Sequence, residues 1–384
     1  MYNFSYINPT KLIFGAGQIE KLKTELPADA KILIVYGGGS IKHNGVYQQI
    51  INALQGFEYL EFSGIEPNPH YETCMEAVEI IRREQINFLL AAGGGSVIDA
   101  AKFMAAAALF KGDDPWQIVE QGLSIESALP LCTVLTLPAT GSEMNGNSVI
   151  TRDADRNKLG WGSLKVYPVF SILDPETTYT LPPKQIGNGV VDTFVHTTEQ
   201  YLTFATDAKL QDGFAETILR TLIAEGPKAL QTPRDYNVRA NLMFASTMAL
   251  NGLIGTGVPQ DWATHGIGHE LTARYGLDHG QTLAIVLPGA LTVLREQKGE
   301  KIAQCGRNVF GINEQNIDTQ IDKTISAIEN FFEEMGISTH LSQYGITEEA
   351  ADAVSARLAE RGWLLGEKQN ITPQMVKTIL LLRK

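Results

Sequence analysis

The fold is decided by the stretch NFLLAAGGGSVIDAAK, residues 87–102. Its apolar beginning, NFLLAA (87–92), has the composition of a strand that is buried on both faces of a parallel sheet. Three glycines and a serine then form a turn (93–96), and an alanine-rich helix follows. A strand, a glycine turn and a helix in this order form the unit from which parallel α/β sheets are built.

The same unit recurs through the first half of the chain. KILIVY (31–36) is a second strand of the buried type, and another GGGS turn follows it. Further strands are predicted at YLEF (59–62), LCTVLTL (131–137) and VFSILD (169–174), and helices over 46–54 and 70–85. The repetition indicates a parallel sheet with right-handed crossovers.

The pattern changes after LDPETTYTLPP (173–183), where two consecutive prolines interrupt the chain. Beyond them, apolar residues recur at helical spacing over 184–204, 207–229 and 234–254, and almost no strand-like run remains. We therefore predict two domains. Residues 1–180 form an α/β domain with a parallel sheet, and residues 181–384 form an all-helical domain.

Composition excludes several classes of protein. The 384 residues are 44% apolar and 19% charged, which supports a large core and excludes disorder. The net charge is −12, and no Lys/Arg-rich run offers a nucleic-acid surface. The longest apolar run (103–110) is too short to span a bilayer, and the N-terminus lacks the pattern of a secretory signal. Three widely spaced cysteines favour a reducing compartment, so we expect a cytoplasmic protein with no membrane partner.

The two GGGS turns are candidates for binding a phosphate. Glycine lets the backbone approach a phosphate closely, and the N-terminus of the following helix supplies N–H donors. The second turn is the better candidate for a pyrophosphate, since it opens the helix that carries Asp99 and Lys102. The alternative is a tight turn with no ligand. GxGxxG and GxxxxGK[ST] are both absent, which disfavours a standard Rossmann unit and a P-loop ATPase.

The first turn bears on the choice of dinucleotide. An NAD site usually places Asp or Glu at a strand end to hold the ribose hydroxyls. The sequence YGGGSIK (36–42) offers a hydroxyl and a cation there instead. On charge grounds we expect NADP(H) to be preferred over NAD(H); the alternative is that Lys42 only faces solvent. In a third turn, PATGSE (138–143), Thr140 and Ser142 either contact a cofactor or cap a helix.

The histidines are clustered. Of seven in the chain, His265, His269 and His279 fall within residues 265–279, and His196 follows Asp192 by four residues. Positions i and i+4 share one face of a helix, so each such pair is able to reach one ion. A carboxylate with several imidazoles suits Fe²⁺ or Zn²⁺ better than Mg²⁺ or Ca²⁺. Five candidates exist for a site that needs four protein ligands, and the spacing does not decide between them.

Four motifs together resemble the iron-containing, or group III, alcohol dehydrogenases. They are GGGSVIDAAK (93–102), LPATGSE (137–143), DTFVH (192–196) and HGIGHELTARYGLDHGQTLAIVLP (265–288). The likeness covers essentially the whole chain, and it is strongest to the branch of NADPH-dependent aldehyde reductases and butanol dehydrogenases. It implies an enzyme that transfers a hydride between NADP(H) and a short- to medium-chain aldehyde or primary alcohol, with one Fe²⁺ or Zn²⁺ ion. It also implies a homodimer, and it assigns the dinucleotide to the α/β domain (1–180) and the metal to the helical domain (181–384).

The resemblance also implies roles for individual residues. It assigns the metal to Asp192, His196, His265 and His279, and it leaves His269 as a catalytic candidate on the substrate side. Asn145 is the second catalytic candidate, near the nicotinamide or the substrate. The implied cofactor-binding residues are Gly38, Ser40, Asn68, Gly94, Gly95, Ser96, Asp99, Thr136, Thr140 and Lys158.

Three other functions stay open at this stage. Two belong to the same superfamily: a dehydrogenase of phosphorylated polyols, and a lyase similar to dehydroquinate synthase. Both need additional Lys or Arg residues beside the metal, whereas the basic residues between 185 and 280 are scattered. The third is a metal-dependent phosphohydrolase that uses the glycine turns for a substrate phosphate.

Overall fold

The computed structural model describes residues 1–384. The strands are β1 (Lys11–Phe14), β2 (Lys31–Tyr36), β3 (Glu58–Phe62), β4 (Phe88–Gly94), β5 (Leu131–Leu137), β6 (Asn147–Arg152), β7 (Asn157–Gly162) and β8 (Phe170–Leu173). Six of them form one parallel sheet in the order β1-β8-β5-β4-β2-β3. β6 and β7 form a separate antiparallel pair. The predicted parallel α/β class is confirmed.

Helices occupy most of the remaining chain. Before residue 181 they are α1 (Leu22–Glu25), α2 (Val46–Ala53), α3 (Tyr71–Glu84), α4 (Gly95–Leu109) and α5 (Trp116–Glu120). After it they are α6 (Pro183–Tyr201), α7 (Lys209–Gln231), α8 (Tyr236–Ala249), α9 (Ala263–Tyr275), α10 (His279–Val293), α11 (Arg295–Phe310), α12 (Ile317–Glu334), α13 (Glu349–Glu360) and α14 (Pro373–Leu381). None of these helices is both long and apolar enough to cross a bilayer.

The sequence predicted the buried strands and the exposed strand β3, and it missed β1, β6 and β7. β2 and β5 have the predicted bounds, and β4 continues two residues further, into the glycines. β1 was not predicted because it has only four residues at the sheet edge, two of them exposed. The β6–β7 hairpin was missed because glycines and exposed residues interrupt its apolar pattern. Neither β1 nor the β6–β7 hairpin has the long continuous apolar run that identifies a buried parallel strand.

The strand order reverses direction beside β2. The helix that follows β2 packs on one face of the sheet, where Val46 and Ile50 join the core with Ile32 and Ile34. The helix that follows β4 packs on the opposite face, where Ile98 joins a second core. In open α/β sheets, ligands bind outside the carboxyl ends of the strands at such a reversal. The turns that end β2 and β4 therefore flank the expected ligand crevice.

The chain divides into two compact units. The sheet unit comprises Ile7–Leu181 and Arg234–Met243, and the helical unit comprises Met1–Tyr6, Pro182–Pro233 and Phe244–Lys384. The helical unit contains α6, in which nearly every side chain is buried. Within that unit the ring of Phe194 on α6 packs 5.4 and 5.3 Å from those of Phe331 and Phe332 on α12. The domain division at residue 180, with its dinucleotide and metal roles, stays a prediction.

Candidate metal centre and cofactor turns

Helix α6 supplies two residues of the predicted metal site. Asp192 and His196 lie one turn apart, and both are almost fully buried. Oδ1 of Asp192 is 3.5 Å from Nδ1 of His196. Thr193 and Thr197 donate hydrogen bonds from their hydroxyls to carbonyls of the same helix, at 2.8 and 2.9 Å. The helix thus accommodates polar side chains in its interior by satisfying them locally.

His265 and His279 reach the same carboxylate from two other helices. Their Nε2 atoms lie 3.8 and 3.6 Å from Oδ1 of Asp192. One ligand atom from each of Asp192, His265 and His279 lies within 4.8 Å of the other two. The approach of α10 to α6 requires Gly280, because a Cβ there would stand 2.7 Å from the carbonyl oxygen of Asn188. Close helix packing therefore brings together residues that are up to 87 positions apart.

The donor set fits a divalent transition metal. One carboxylate and three imidazoles match the ligands preferred by Fe²⁺ and Zn²⁺, and four protein ligands suit a tetrahedral arrangement. The Nε2 atom of His265 is buried and has no hydrogen-bond partner, as expected of an atom that binds a metal. The rings of His196 and His265 are stacked with their centroids 4.6 Å apart. Asp192, His265 and His279 thus form one compact group, and His196 lies beside it with its Nδ1 atom 3.5 Å from Oδ1 of Asp192.

His269 lies beside this group. It follows His265 by one turn of α9 and is partly exposed. Its ring centroid is 5.4 Å from that of His279 and 6.3 Å from that of His265. The catalytic role of His269 stays a prediction.

Sequence reasoning missed Glu199, which is almost fully buried. One carboxylate oxygen of Glu199 hydrogen-bonds Nδ1 of His265, and the other accepts from the backbone N–H of Thr264 at 2.6 Å. A carboxylate on Nδ1 places the proton there and leaves Nε2 as the atom available to a metal. A signal was present in the sequence, since Asp192, His196 and Glu199 follow one helical face at i, i+4 and i+7.

The charge of Glu199 also controls the protonation of His265. Burial opposes the charged imidazolium, but the nearby charges of Glu199 and Asp192 and the hydrogen bond to Glu199 outweigh it. The pKa of His265 is raised to about 9 as a result. A metal that binds at Nε2 has to displace this proton.

A second buried polar group supports the same region. The ammonium of Lys298 on α11 contacts the carboxylates of Asp261 and Glu367 and donates to the carbonyl of Leu202 at 2.9 Å. The backbone N–H of Asp261 donates to the carbonyl of Glu199 at 2.9 Å. Burial raises the pKa of Asp261 to about 6. This group links the C-terminal end of α6 to the segment before α9, two of the three helices that carry proposed ligands. Sequence reasoning missed it because its members are far apart along the chain.

In the sheet unit, the three predicted cofactor turns lie side by side. β2, β4 and β5 are neighbours in a parallel sheet, so their carboxyl ends share one edge. Gly38 and Ser40 follow β2 and are exposed, and a Cβ at Gly38 would meet nothing within 4 Å. Gly94 ends β4, and Gly95 and Ser96 begin α4, which has no side-chain N-cap. That end of α4 therefore keeps N–H groups for a ligand such as a phosphate.

Lys42 is not merely a solvent-facing cation. Its Nζ lies 3.3 Å from Oε2 of Glu61, a carboxylate from β3 that the sequence argument did not consider. Glu61 also accepts hydrogen bonds from the hydroxyls of Tyr36 (2.7 Å) and Tyr47 (2.6 Å). Interactions with Tyr36 and then Glu61 raise the pKa of Lys42 to about 12. The first turn thus combines a cation with an anion from β3, and residues 36–42 alone do not determine its charge.

Three predicted cofactor residues that are far apart in sequence form a chain of contacts. Nζ of Lys158 donates to Oδ1 of Asn68 at 2.8 Å. The backbone N–H of Asn68 lies 3.4 Å from Oγ of Ser96. Asn68 has a φ of 60°, which is uncommon outside glycine and is tolerated best by Asn and Asp. The chain connects β7, the segment before α3 and the start of α4.

The remaining predicted residues lie around the third turn. Thr136 is buried in β5. The Oγ1 atom of Thr140 accepts from the N–H of Ser142 at 3.2 Å. Asp99 accepts from the Ser142 hydroxyl at 2.6 Å and from the N–H of Val149 at 3.0 Å. Asp99 is thereby engaged by the protein's own donors.

Asn145 is buried, and its side-chain amide contacts the protein. Oδ1 accepts from Nζ of Lys102 at 3.1 Å and from the N–H of Asn147 at 2.9 Å. Nδ2 donates to the carbonyl of Gly141 at 2.9 Å. These contacts determine the orientation of the amide within the turn. The catalytic role of Asn145 stays a prediction.

The parallel sheet with its glycine turns and the carboxylate–histidine donor set are together typical of metal-containing dehydrogenases. A protein-family model, iron-containing alcohol dehydrogenase, matches residues 9–175. A second family model, for the C-terminal part of the Fe-containing alcohol dehydrogenase family, matches residues 187–382. The chain belongs to the iron-containing alcohol dehydrogenase family, and it is an oxidoreductase.

Individual relatives agree with this assignment. The NADPH-dependent aldehyde reductase YqhD of Escherichia coli is 54% identical over 99% of both chains. The crystal structure of E. coli YqhD superposes with a TM-score of 0.98 and covers 100% of this chain and 99% of its own. A probable NADH-dependent butanol dehydrogenase of Bacillus subtilis is 40% identical over 99% of both chains. These relatives do not favour a phosphorylated-polyol dehydrogenase, a lyase similar to dehydroquinate synthase or a phosphohydrolase.

Proposed function

We propose that this protein uses NADPH to reduce short- to medium-chain aldehydes to primary alcohols and also catalyses the reverse oxidation. The observation that carries the proposal is the buried donor set around Asp192, in which Nε2 atoms of two histidines lie within 3.8 Å of one carboxylate oxygen. The identity to the E. coli aldehyde reductase supports the substrate class. Asp192, His196, His265 and His279 would hold one Fe²⁺ or Zn²⁺ ion. Such an ion supplies Lewis acidity toward the oxygen of the substrate.

The protein's own side chains prepare this site in two ways. Glu199 keeps Nδ1 of His265 engaged, so that Nε2 points to the carboxylate of Asp192. His269 is the candidate for delivering a proton to the product oxygen, since it is partly exposed and its ring lies beside that of His279. Its replacement by Ala would lower kcat and leave the metal content unchanged.

The turns of the sheet unit would bind the dinucleotide. The start of α4 at Gly94, Gly95 and Ser96 suits a pyrophosphate, and the chain of contacts through Asn68 and Lys158 lies next to it. Gly38, Ser40, Asp99, Thr136 and Thr140 complete the proposed set. Hydride transfer itself belongs to the nicotinamide ring, and the protein supplies its position.

A preference for NADP(H) over NAD(H) is the finer part of the proposal. The absence of an acid in YGGGSIK (36–42) supports it, as does the cofactor of the E. coli relative. Glu61 works against it, because this carboxylate lies beside Lys42. The ratio of kcat/KM for NADPH and NADH with butanal measures the preference, and a ratio below one contradicts the proposal.

The central experiment is loss of NADPH absorbance with butanal, before and after chelation. We expect chelation to abolish the reaction and added Fe²⁺ or Zn²⁺ to restore it. Full activity of metal-free protein would refute the metal role, and phosphate release from model esters without NADPH oxidation would favour a phosphohydrolase. Metal analysis of protein purified without oxygen decides between iron and zinc, because Zn²⁺ competes well for such sites.

A cytoplasmic homodimer is the last part of the proposal. Cys74, Cys132 and Cys305 are buried and form no disulfide, in keeping with a reducing compartment. β1 is one of the two edge strands of the sheet and offers one side for pairing. Light scattering on the purified protein tests the dimer, and fractionation of cells tests the compartment.

A further inference from the structure

The sheet unit contains a buried ammonium group, that of Lys102, which is not among the proposed cofactor-binding or metal-binding groups. Lys102 on α4 is completely inaccessible to solvent. An ammonium group has three N–H donors. All three have acceptors at hydrogen-bond distance: Oγ of Ser142 (2.8 Å), Oδ1 of Asn145 (3.1 Å) and the carbonyl oxygen of Asn147 (2.7 Å). The three acceptors belong to a single turn.

Asp99, one helical turn before Lys102 on α4, binds the same loop. Its carboxylate accepts a hydrogen bond from the Ser142 hydroxyl, and that hydroxyl accepts one from Lys102. The second carboxylate oxygen of Asp99 accepts from the N–H of Val149. The hydroxyl of Ser148 donates to the backbone carbonyl of Asp99 at 2.9 Å. Residues 142–149 are thus bound to α4 by side chains from two successive turns of the helix.

The bound turn also approaches the start of α4 very closely. A Cβ on Gly95 would lie 2.4 Å from Oγ1 and 2.5 Å from Cγ2 of Thr140. Gly95 belongs to the proposed pyrophosphate site and Thr140 to the third cofactor turn. A displacement of residues 140–147 would therefore change the position of Thr140 relative to the N–H groups at the start of α4.

Burial of a lysine ammonium costs solvation free energy. Burial lowers the pKa of Lys102 to about 8, partly offset by the charges of Asp99 and Glu143, so the charged form is disfavoured in the fold. Apolar residues of similar volume often replace buried ion pairs with no loss of stability. What an apolar residue cannot supply is three directed donors. Directed hydrogen bonds define the positions of the atoms that accept them.

We propose that Lys102 is a positioning residue for the dinucleotide: it holds the 140–147 turn, and with it Thr140 and Asn145, in the arrangement that binds the cofactor. The inference rests on the proposed function, since it assumes that NADPH binds at these turns. It assigns Lys102 no contact with substrate or metal.

The test is the affinity for NADPH, measured by the change in nicotinamide fluorescence, with the parent protein, Lys102→Met and Lys301→Met. Lys301 is the matched control, a lysine only 6% exposed that pairs with Asp212 in the helical unit. We expect the Kd of Lys102→Met to rise about tenfold or more, the loss expected from a charged hydrogen bond, with metal content unchanged. Lys301→Met should bind NADPH within about twofold of the parent, although it unfolds at a lower temperature.

Ser142→Ala serves as a second variant if Lys102→Met does not fold. It removes only the hydroxyl that joins Lys102 and Asp99. We expect a smaller rise in the Kd for NADPH, of about threefold or more. If the parent binds NADPH and the folded variants bind it with the same affinity, the inference is overturned. A parent that does not bind NADPH at all instead overturns the proposed function.

Discussion

The carboxylate of Glu199 hydrogen-bonds Nδ1 of His265, across a helix interface within the helical unit. It orients the one imidazole whose Nε2 is buried with no hydrogen-bond partner. We expect Glu199→Gln to weaken metal binding about 10- to 100-fold, because glutamine offers one acceptor oxygen in place of two and carries no charge. Competition with a zinc chelator measures this affinity.

Glu216→Gln is the control for that change. Glu216 is also buried in the helical unit and accepts hydrogen bonds from Tyr201, Gln304 and Asn308. It contacts none of the proposed ligands, so its replacement should lower stability without changing metal affinity. Equal losses of metal in the two variants would show that Glu199 acts on stability alone.

Asp192 is the common neighbour of the three histidines proposed as ligands. Asp192→Ala removes the only carboxylate of the set and leaves three neutral or positively charged imidazoles around a cation. We expect most of the bound metal, and with it the aldehyde reductase activity, to be lost. Metal analysis of the purified variant is the measurement, and unchanged metal content refutes the assignment.

Gly95 has no room for a side chain. In Gly95→Ala the new methyl group would stand 2.4 Å from Oγ1 of Thr140, so the turn or the helix has to move. We expect a loss of stability of about 1–3 kcal/mol together with weaker binding of NADPH. Gly213→Ala on α7 is the control, because its Cβ would meet nothing within 4 Å and alanine favours a helix by about 1 kcal/mol. Unchanged NADPH affinity of Gly95→Ala would contradict a tight cofactor turn.

Lys102 makes stability depend on pH in the alkaline range. Its pKa falls from 10.5 to about 8 on folding, so between these values the unfolded chain binds more protons at this residue than the folded one. Stability therefore rises with pH across this window. The shift corresponds to about 3 kcal/mol.

The comparison that isolates this effect is between the parent and Lys102→Met. Denaturant titrations give the unfolding free energy of each protein at about pH 7 and about pH 10.5. From the lower to the higher pH, the parent should gain up to about 3 kcal/mol of stability relative to Lys102→Met. Titrating groups that do not interact with Lys102 cancel, because both proteins share them. Parallel pH profiles of the two proteins would show that Lys102 has an ordinary pKa in the folded state.

The sequence alone was sufficient for the class of fold, and it indicated five candidates for the metal-binding donor set without deciding between them. Buried parallel strands such as 31–36 and 131–137 consist of uninterrupted apolar residues, a local signal that survives without tertiary information. Histidines at helical spacing are equally local. The half-exposed strand β1 and the β6–β7 hairpin carry no such signal, since their side chains face both solvent and protein.

Only the tertiary structure decided which groups act on one another over long separations. Lys102 and Asn145, or Lys298 and Glu367, are far apart along the chain, and a buried lysine looks the same in sequence as one in solvent. Likewise, Glu61 contacts Lys42 only because β3 pairs with β2 in the sheet, which the sequence alone does not show. Local patterns determine which segments become buried strands and helices, because burial follows hydrophobic periodicity. Partners of buried charges depend on how those segments pack, and packing brings together atoms that no local pattern relates.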